Sequence, residues 1–200
     1  MKPVRGLFVL AAMGLLLGAC ATSIVLREWK DPAYSGPPFK KVAVMMLSED
    51  VTERRLFEDV IARRLAAQGV RAKTSYGSIP TPKAMECEKV EKMVCDIGAQ
   101  GVLVTRIVKQ ETRYDSMLAS QPNMFRGYLT SYSMEPTAIR YDVVTIESKL
   151  FHMPDGALVW SGRTETIDRP NQEKEVGDFA QQVIKALVAE HLLKGAQQGG

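Results

Sequence analysis

The chain has 200 residues, of which 46% are apolar and 24% charged, with a formal net charge of +3 at neutral pH. That size fits one domain plus a targeting segment and can bury a core without disulfide staples. Two of the positive charges, Lys2 and Arg5, lie at the extreme N-terminus, so the remainder is close to neutral, which argues against a nucleic-acid binder and against electrostatic attachment to a membrane.

Residues 1–19 have the form of a signal peptide. Lys2 and Arg5 precede an uncharged apolar run, Gly6 to Leu17. That run is about 12 residues, too short for a spanning helix, which needs ~20. It ends in Leu17-Gly18-Ala19-Cys20, which resembles the lipobox of bacterial lipoproteins. Small side chains before the cysteine let a peptidase approach the backbone, and the Cys20 thiol accepts the lipid. Acylation of the sulfur and of the freed amine gives stable anchoring, which one chain does not. The competing reading is an ordinary secretory site at Ala19-Cys20-Ala21, cut after Ala21. Ala rather than Asp at position 21 implies, by the same resemblance, sorting to the outer membrane with the domain facing the periplasm.

Residues 20–38 are expected to be a lipidated tether, since Asp31-Pro32, Gly36 and Pro37-Pro38 oppose regular structure. Ile24, Val25, Leu26 and Trp29 are costly to leave in water, however, so part of this stretch is expected to pack on the domain as an edge strand. The domain itself is assigned to residues 39–194. Lys41–Leu47 is nearly all apolar and predicts a strand covered on both faces. Thr52–Gln68 predicts a helix with Leu56, Phe57, Val60, Ile61 and Leu65 on its stripe and Gly69 as its stop. Val70–Ser75 predicts a second strand. Lys83–Gln100 predicts a second helix with Val90, Val94 and Ile97 on one side, and Gly101–Val108 a third strand.

The order so far is βαβαβ, which favours parallel pairing with helical crossovers. Tyr141–Phe151 and Ala157–Ile167 then predict a hairpin turning at Met153-Pro154-Asp155-Gly156. Glu173–Leu193 predicts a closing helix with Phe179, Val183, Ile184, Leu187, Val188 and Leu192 on its stripe. Residues 195–200 read as a frayed tail. The fold expected is α/β, a mixed sheet of about five strands in βαβαβ-ββα order with helices packed on it.

Between Tyr114 and Pro136 lies a long connection without clear period. It mixes Met117, Leu118, Met124, Phe125, Tyr128, Tyr132 and Met134 with Ser, Pro and Gly. Connections this long in compact domains are often functional. Flexible Met with amphipathic Tyr is typical of adaptable recognition surfaces. Met117, Met124, Phe125, Tyr128, Tyr132 and Met134 are therefore candidate partner-binding residues. The alternative is a lid folded over the sheet edge.

Cys87 and Cys95 are the only cysteines besides Cys20. Two thiols in an oxidising compartment invite a disulfide. Inside one unbroken helix their Cα atoms would stand about 12 Å apart at 1.5 Å rise per residue, whereas a bridge needs under ~7 Å. Either the helix begins after Cys87 and the chain folds back, or both thiols are free. The spacing lacks an adjacent His and supports no metal site. His152 is read as a turn residue and His191 as a cation near a helix C-terminus. Arg54, Arg55, Arg63 and Arg64 with Glu53, Glu58 and Asp59 are read as the solvated face of the first helix, their i,i+4 pairs contributing tenths of a kcal/mol. Asp142 reads as a strand-start or cap residue. No nucleophile elbow, phosphate loop or His-Glu-x-x-His is present, so no catalytic residue, cofactor or metal is assigned.

Several features together resemble a family of small lipoproteins of Gram-negative bacteria. They are Trp29-Lys30-Asp31-Pro32 ahead of a strand entered from Phe39-Lys40-Lys41, Arg55 and Phe57-Glu58-Asp59 on the first helix, and the Gly69 turn. Ser75-Tyr76 before Pro80, the Ala157-Leu158-Val159-Trp160-Ser161-Gly162 strand and the C-terminal amphipathic helix complete them. The domain of that family is similar to the outer-membrane lipoprotein activator of penicillin-binding proteins and to the curli-secretion lipoprotein. The resemblance implies a mixed sheet with helices packed on it and brings no catalytic residues.

Two functions are carried forward. One is a non-enzymatic, membrane-anchored accessory module that binds another envelope protein or itself. The other is a small periplasmic hydrolase or small-ligand binder with a pocket under the 114–136 connection.

Overall fold

A computed structural model describes residues 23–79, 87–116, 138–168 and 172–194. The apolar run expected to be a central strand is β2, Lys41–Met46, with Val42 to Met46 all buried. It lies inside one six-stranded mixed sheet. Its strands are β1 (Ser23–Lys30), β2, β3 (Arg71–Thr74), β4 (Gly101–Ser116), β5 (Ala138–His152) and β6 (Leu158–Asp168), in the order β1-β6-β5-β4-β2-β3. The pairs β3/β2 and β2/β4 are parallel. The pairs β4/β5, β5/β6 and β6/β1 are antiparallel.

Among the described residues three helices complete the fold: α1 (Val51–Ala67), α2 (Cys87–Ile97) and α3 (Gln172–Ala189). The mixed α/β fold expected from the sequence is the one observed, with one more strand than counted. That strand is β1, the apolar part of the lead-in, seated at the sheet edge. The sheet therefore takes in residues ahead of position 39, the boundary expected for the domain.

Alternation along the strands divides the buried side chains between two faces. One face carries Val42, Val44, Met46, Leu103, Ile146, Leu150 and Trp160, and packs against α1 and α3 through Phe57, Ile61, Leu65, Phe179, Val183 and Leu187. The other carries Ala43, Met45 and Val102, and packs against α2 through Met93 and Val94. Each large apolar side chain so sealed contributes about 1.5–3 kcal/mol of transfer free energy.

Helix α1 begins one residue earlier than expected because Asp50 caps it. Its Oδ1 accepts from the backbone N–H of Thr52 at 2.7 Å and of Glu53 at 3.1 Å. It stops where expected: Gly69 takes φ 75° just beyond the C-cap Gln68. Helix α3 is shorter than the expected Glu173–Leu193. The chain turns at His191, which adopts φ 58°, and Leu192 and Leu193 come back to bury at 1% and 2% exposure. Leu192 matched the helical stripe by spacing, yet it reaches the core from beyond the helix end.

Strands β4 and β5 run well past the end of β2. Their register extends from Gly101↔His152 to Ser116↔Ala138, while β2 pairs only as far as Met46↔Thr105. Tyr114 to Ser116, expected to belong to a long connection, are the end of strand β4. The two strands leave the parallel half of the sheet as a projecting arm. The opposite hairpin end closes as expected, with Asp155 Oδ1 accepting from Ala157 N at 3.0 Å and Gly156 at φ 68°.

Candidate functional site

The six candidate partner-binding residues, Met117, Met124, Phe125, Tyr128, Tyr132 and Met134, lie outside the described residues, as does the lipidation candidate Cys20. The strands that bracket them are described and fix where these segments leave the sheet. Ser23 pairs with Thr166, Thr166 with Val144, and Val144 with Gln110, so the four form one row across the sheet. Cys20 lies three residues before Ser23. Strands β4 and β5 continue past the same row on the same side, to Ser116 and Ala138.

Below the arm, a cleft of about 210 Å³ opens between the sheet and the first turns of α1 and α3. Leu56, Phe57, Ile107, Val144 and Val176 give it an apolar floor, and Asp50, Glu53 and Glu175 give it acidic margins. It forms because α1 and α3 begin level with the end of β2, whereas β4 and β5 run on. Thr52 and Thr166 are its hydroxyl side chains, and no Ser, His or Cys lines it among the described residues.

Arg54 and Glu58 are not solvated, contrary to the sequence reading; they are 1% and 0% exposed. They lie seven and three residues before Ile61 on the buried side of α1, a spacing that could have revealed them. The Glu58 carboxylate fills the carboxyl ends of β2 and β3. Its Oε1 accepts from Met46 N at 3.1 Å, Arg54 Nε at 3.1 Å and Ser75 Oγ at 2.7 Å. Its Oε2 accepts from Ser75 N at 2.6 Å and Tyr76 N at 3.1 Å. Arg54 Nη2 donates to Ser75 Oγ at 2.7 Å. Ligands of open α/β sheets bind at strand carboxyl ends; here that position is occupied by the protein's own carboxylate, which makes the node structural. Asp59, also read as solvated, accepts from Tyr76 Oη at 2.8 Å, and Arg55 lies 5.6 Å from the Tyr76 ring centroid.

The face of the antiparallel half away from α1 and α3 bears a lattice of charges. Arg27, Arg163, Glu147 and Arg106 follow one another in a single row across β1, β6, β5 and β4. Arg106 Nε donates to Glu147 Oε2 at 2.9 Å and Arg163 Nη2 to Oε1 at 3.3 Å. Burial opposes ionisation of Glu147, yet Arg106 and Lys149 hold its carboxyl below the ordinary range. Further along, Arg113 clamps Glu165 with Nη1–Oε2 at 2.9 Å and Nη2–Oε1 at 2.8 Å. That clamp depresses the Glu165 carboxyl and raises the Arg113 guanidinium.

The remaining sequence candidates fall elsewhere. Asp142 accepts from Thr112 Oγ1 at 2.6 Å across the arm. His152 packs edge-on against Tyr34 and Phe39, with Nδ1 2.9 Å from Asp155 Oδ1. Cys87 and Cys95 both lie in α2, so the helix does not begin after Cys87, and the Cys95 thiol is free and exposed. The span of about 12 Å between their Cα atoms rules out a bridge within the intact helix. Among the described residues no cluster of three His, Cys, Asp or Glu could hold a metal ion, and no helix is long and apolar enough to cross a membrane.

No protein-family model matches the chain, and neither does any curated protein. Among solved structures, the chain is similar to the PelC dodecamer from Paraburkholderia phytofirmans, with 19% identity over 82% of this chain and 95% of that one, at a TM-score of 0.47. It is also similar to lipoprotein GNA1162 from Neisseria meningitidis, with 15% identity, 75% and 96% coverage and a TM-score of 0.42. The minor lipoprotein from Acinetobacter baumannii gives 12% identity, 78% and 98% coverage and a TM-score of 0.36. These similarities do not bear on the expected likeness to the penicillin-binding-protein activator or the curli-secretion lipoprotein.

Proposed function

We propose that this chain is a lipid-anchored accessory protein on the periplasmic face of the outer membrane, holding a non-enzymatic binding domain against the bilayer. The observation that supports this most is a coincidence of ends. The lipobox cysteine, Cys20, lies three residues before the Ser23–Thr166–Val144–Gln110 row, a reach of about 10 Å at ~3.3 Å per residue. The β4–β5 arm leaves that row on the same side. The segment with Met117, Met124, Phe125, Tyr128, Tyr132 and Met134 is therefore attached at the anchored end. A Met- and Tyr-rich contact segment at that end favours a partner embedded in or lying on the same membrane, or a neighbouring copy. Tethering both to one surface raises their effective concentration without any added contact energy.

The test is site-specific photocrosslinking in intact cells from Met124, Phe125 and Tyr128. Adducts to an envelope protein are expected, and they should vanish in Cys20→Ser. Absence of adducts from all three positions would overturn the assignment of this segment as the contact.

The cleft favours a second reading, a binder of small amphipathic molecules. Filling it with Val144→Trp should abolish such binding and leave the crosslinks untouched.

A further inference from the structure

We infer that the outer edge of β1 is a docking edge for an extended acidic segment of a partner protein, which joins the sheet as an additional strand. This site is built from described residues alone, and it does not depend on the lipid anchor.

Three observations converge on β1. Among the described residues it is the terminal strand of the sheet order, with a strand partner on one side only. Two of its large apolar side chains, Val25 and Trp29, are 36% and 46% exposed. A shallow groove of about 220 Å³ follows its edge on the α3 side, between Val25 and Glu28 of the strand and Gln182, Lys185, Ala186 and Ala189 of the helix. A strand lying ~4.8 Å outside β1 would place alternate side chains in that groove. The register shift between Val25 and Arg27 is what brings Val25 and Glu28 to the groove side and turns Arg27 and Trp29 to the opposite face.

The opposite face states the charge of the visitor. Arg27 stands directly across from Arg163. Like charges opposed across strands destabilise a sheet. Arg163 and Arg106 share the one carboxylate of Glu147, and no carboxylate among the described residues pairs with Arg27. Charged side chains and bulges do protect free edges from unwanted pairing. Protection alone would be served as well by a glutamate opposite Arg163, and it would not leave Val25 and Trp29 in water. An acidic side chain arriving beside Arg27 relieves the repulsion, and Trp29 gives it an apolar neighbour. A second copy of β1 would bring another Arg27 to the face where Arg27 and Arg163 already oppose each other, which disfavours self-pairing.

The test uses the full chain in a neutral detergent and a decapeptide alternating threonine and glutamate as probe. Trp29 is one of only two tryptophans, and the other, Trp160, is sealed in the core. A saturable blue shift in fluorescence is expected, absent in Trp29→Phe. Arg27→Glu should weaken binding roughly ten-fold. The same peptide N-methylated at alternate residues should bind no better than that variant, because it lacks the strand-pairing donors. Lack of binding, or Arg27→Glu binding as well as the native chain, would overturn the proposal. Equal binding of the N-methylated peptide or of a polyuronate would show a general polyanion surface and overturn strand addition. Sedimentation that revealed self-association lost in Arg27→Glu would make a second copy the occupant and overturn it as well.

Discussion

Arg54 and Glu58 meet on one turn of α1 with Nε 3.1 Å from Oε1, and both are sealed from solvent. Breaking such a pair from one side strands a charge in the core. Glu58→Ala is expected to lower the unfolding free energy by about 3–5 kcal/mol, because Arg54 Nε and the N–H groups of Met46 and Tyr76 lose the carboxylate, while the Ser75 N–H keeps only Val44 O. Arg54→Met with Glu58→Leu should cost clearly less than the two single losses summed. Urea unfolding of the four proteins in a double-mutant cycle measures the coupling.

Gly101 opens β4 in a place with no room for a side chain. A Cβ there would stand 2.7 Å from the Phe39 ring and 2.8 Å from the carbonyl oxygen of Phe151. Gly101→Ala is expected to destabilise by roughly 1–3 kcal/mol. Gly77→Ala, where nothing lies within 4 Å, is the control and should be close to neutral. Thermal unfolding separates the two.

How far the sequence carries depends on what sustains each element. Apolar period sustains α1, α3 and β2, and all three were legible from it. Ile24, Val25, Leu26 and Trp29 likewise announced an edge strand within the lead-in. The arm was not legible, because Lys109 to Asp115 is polar on both sides of the strand. One side meets the charge lattice and the other the cleft, so pairing with β5 holds this part of β4, and no alternation records it. Arg54 and Glu58 were misread because charge on a helix is ordinarily solvated. Only the tertiary fold reveals that β2 and β3 end with N–H groups needing an acceptor. The charged row on the open face depends on the register of four strands and could not be read from one chain segment.

The Arg113 clamp gives a pH dependence whose sign is fixed. The folded-state pKa of Glu165 is depressed, first by the hydrogen bonds from Arg113. Such a group stabilises the fold above its unfolded value of about 4.3 and loses that contribution as pH falls through the lower folded value. Arg113→Met is therefore expected to shrink the stability difference between neutral and acid conditions and to raise the Glu165 titration midpoint. Carboxyl-carbon NMR titration, paired with urea midpoints on either side of the transition, checks both.

Cys95 carries an exposed thiol on α2. It should react with an aromatic disulfide reagent in the folded protein. Peptide mapping under non-reducing conditions should recover no fragment joining Cys87 to Cys95, and a joined fragment would show that α2 is not continuous between them.

In the proposed function Cys20 fixes one end of the sheet at a bilayer, and the β4–β5 arm leaves the sheet at that end. Fractionation of cells expressing the native chain and Cys20→Ser, with mass measurement of the mature N-terminal peptide, tests it most directly. The expected result is a diacylglycerol-modified peptide beginning at Cys20 in the outer membrane, and loss of both processing and membrane retention in the variant. An unmodified peptide beginning after Ala21, or a variant still processed and retained, would contradict it.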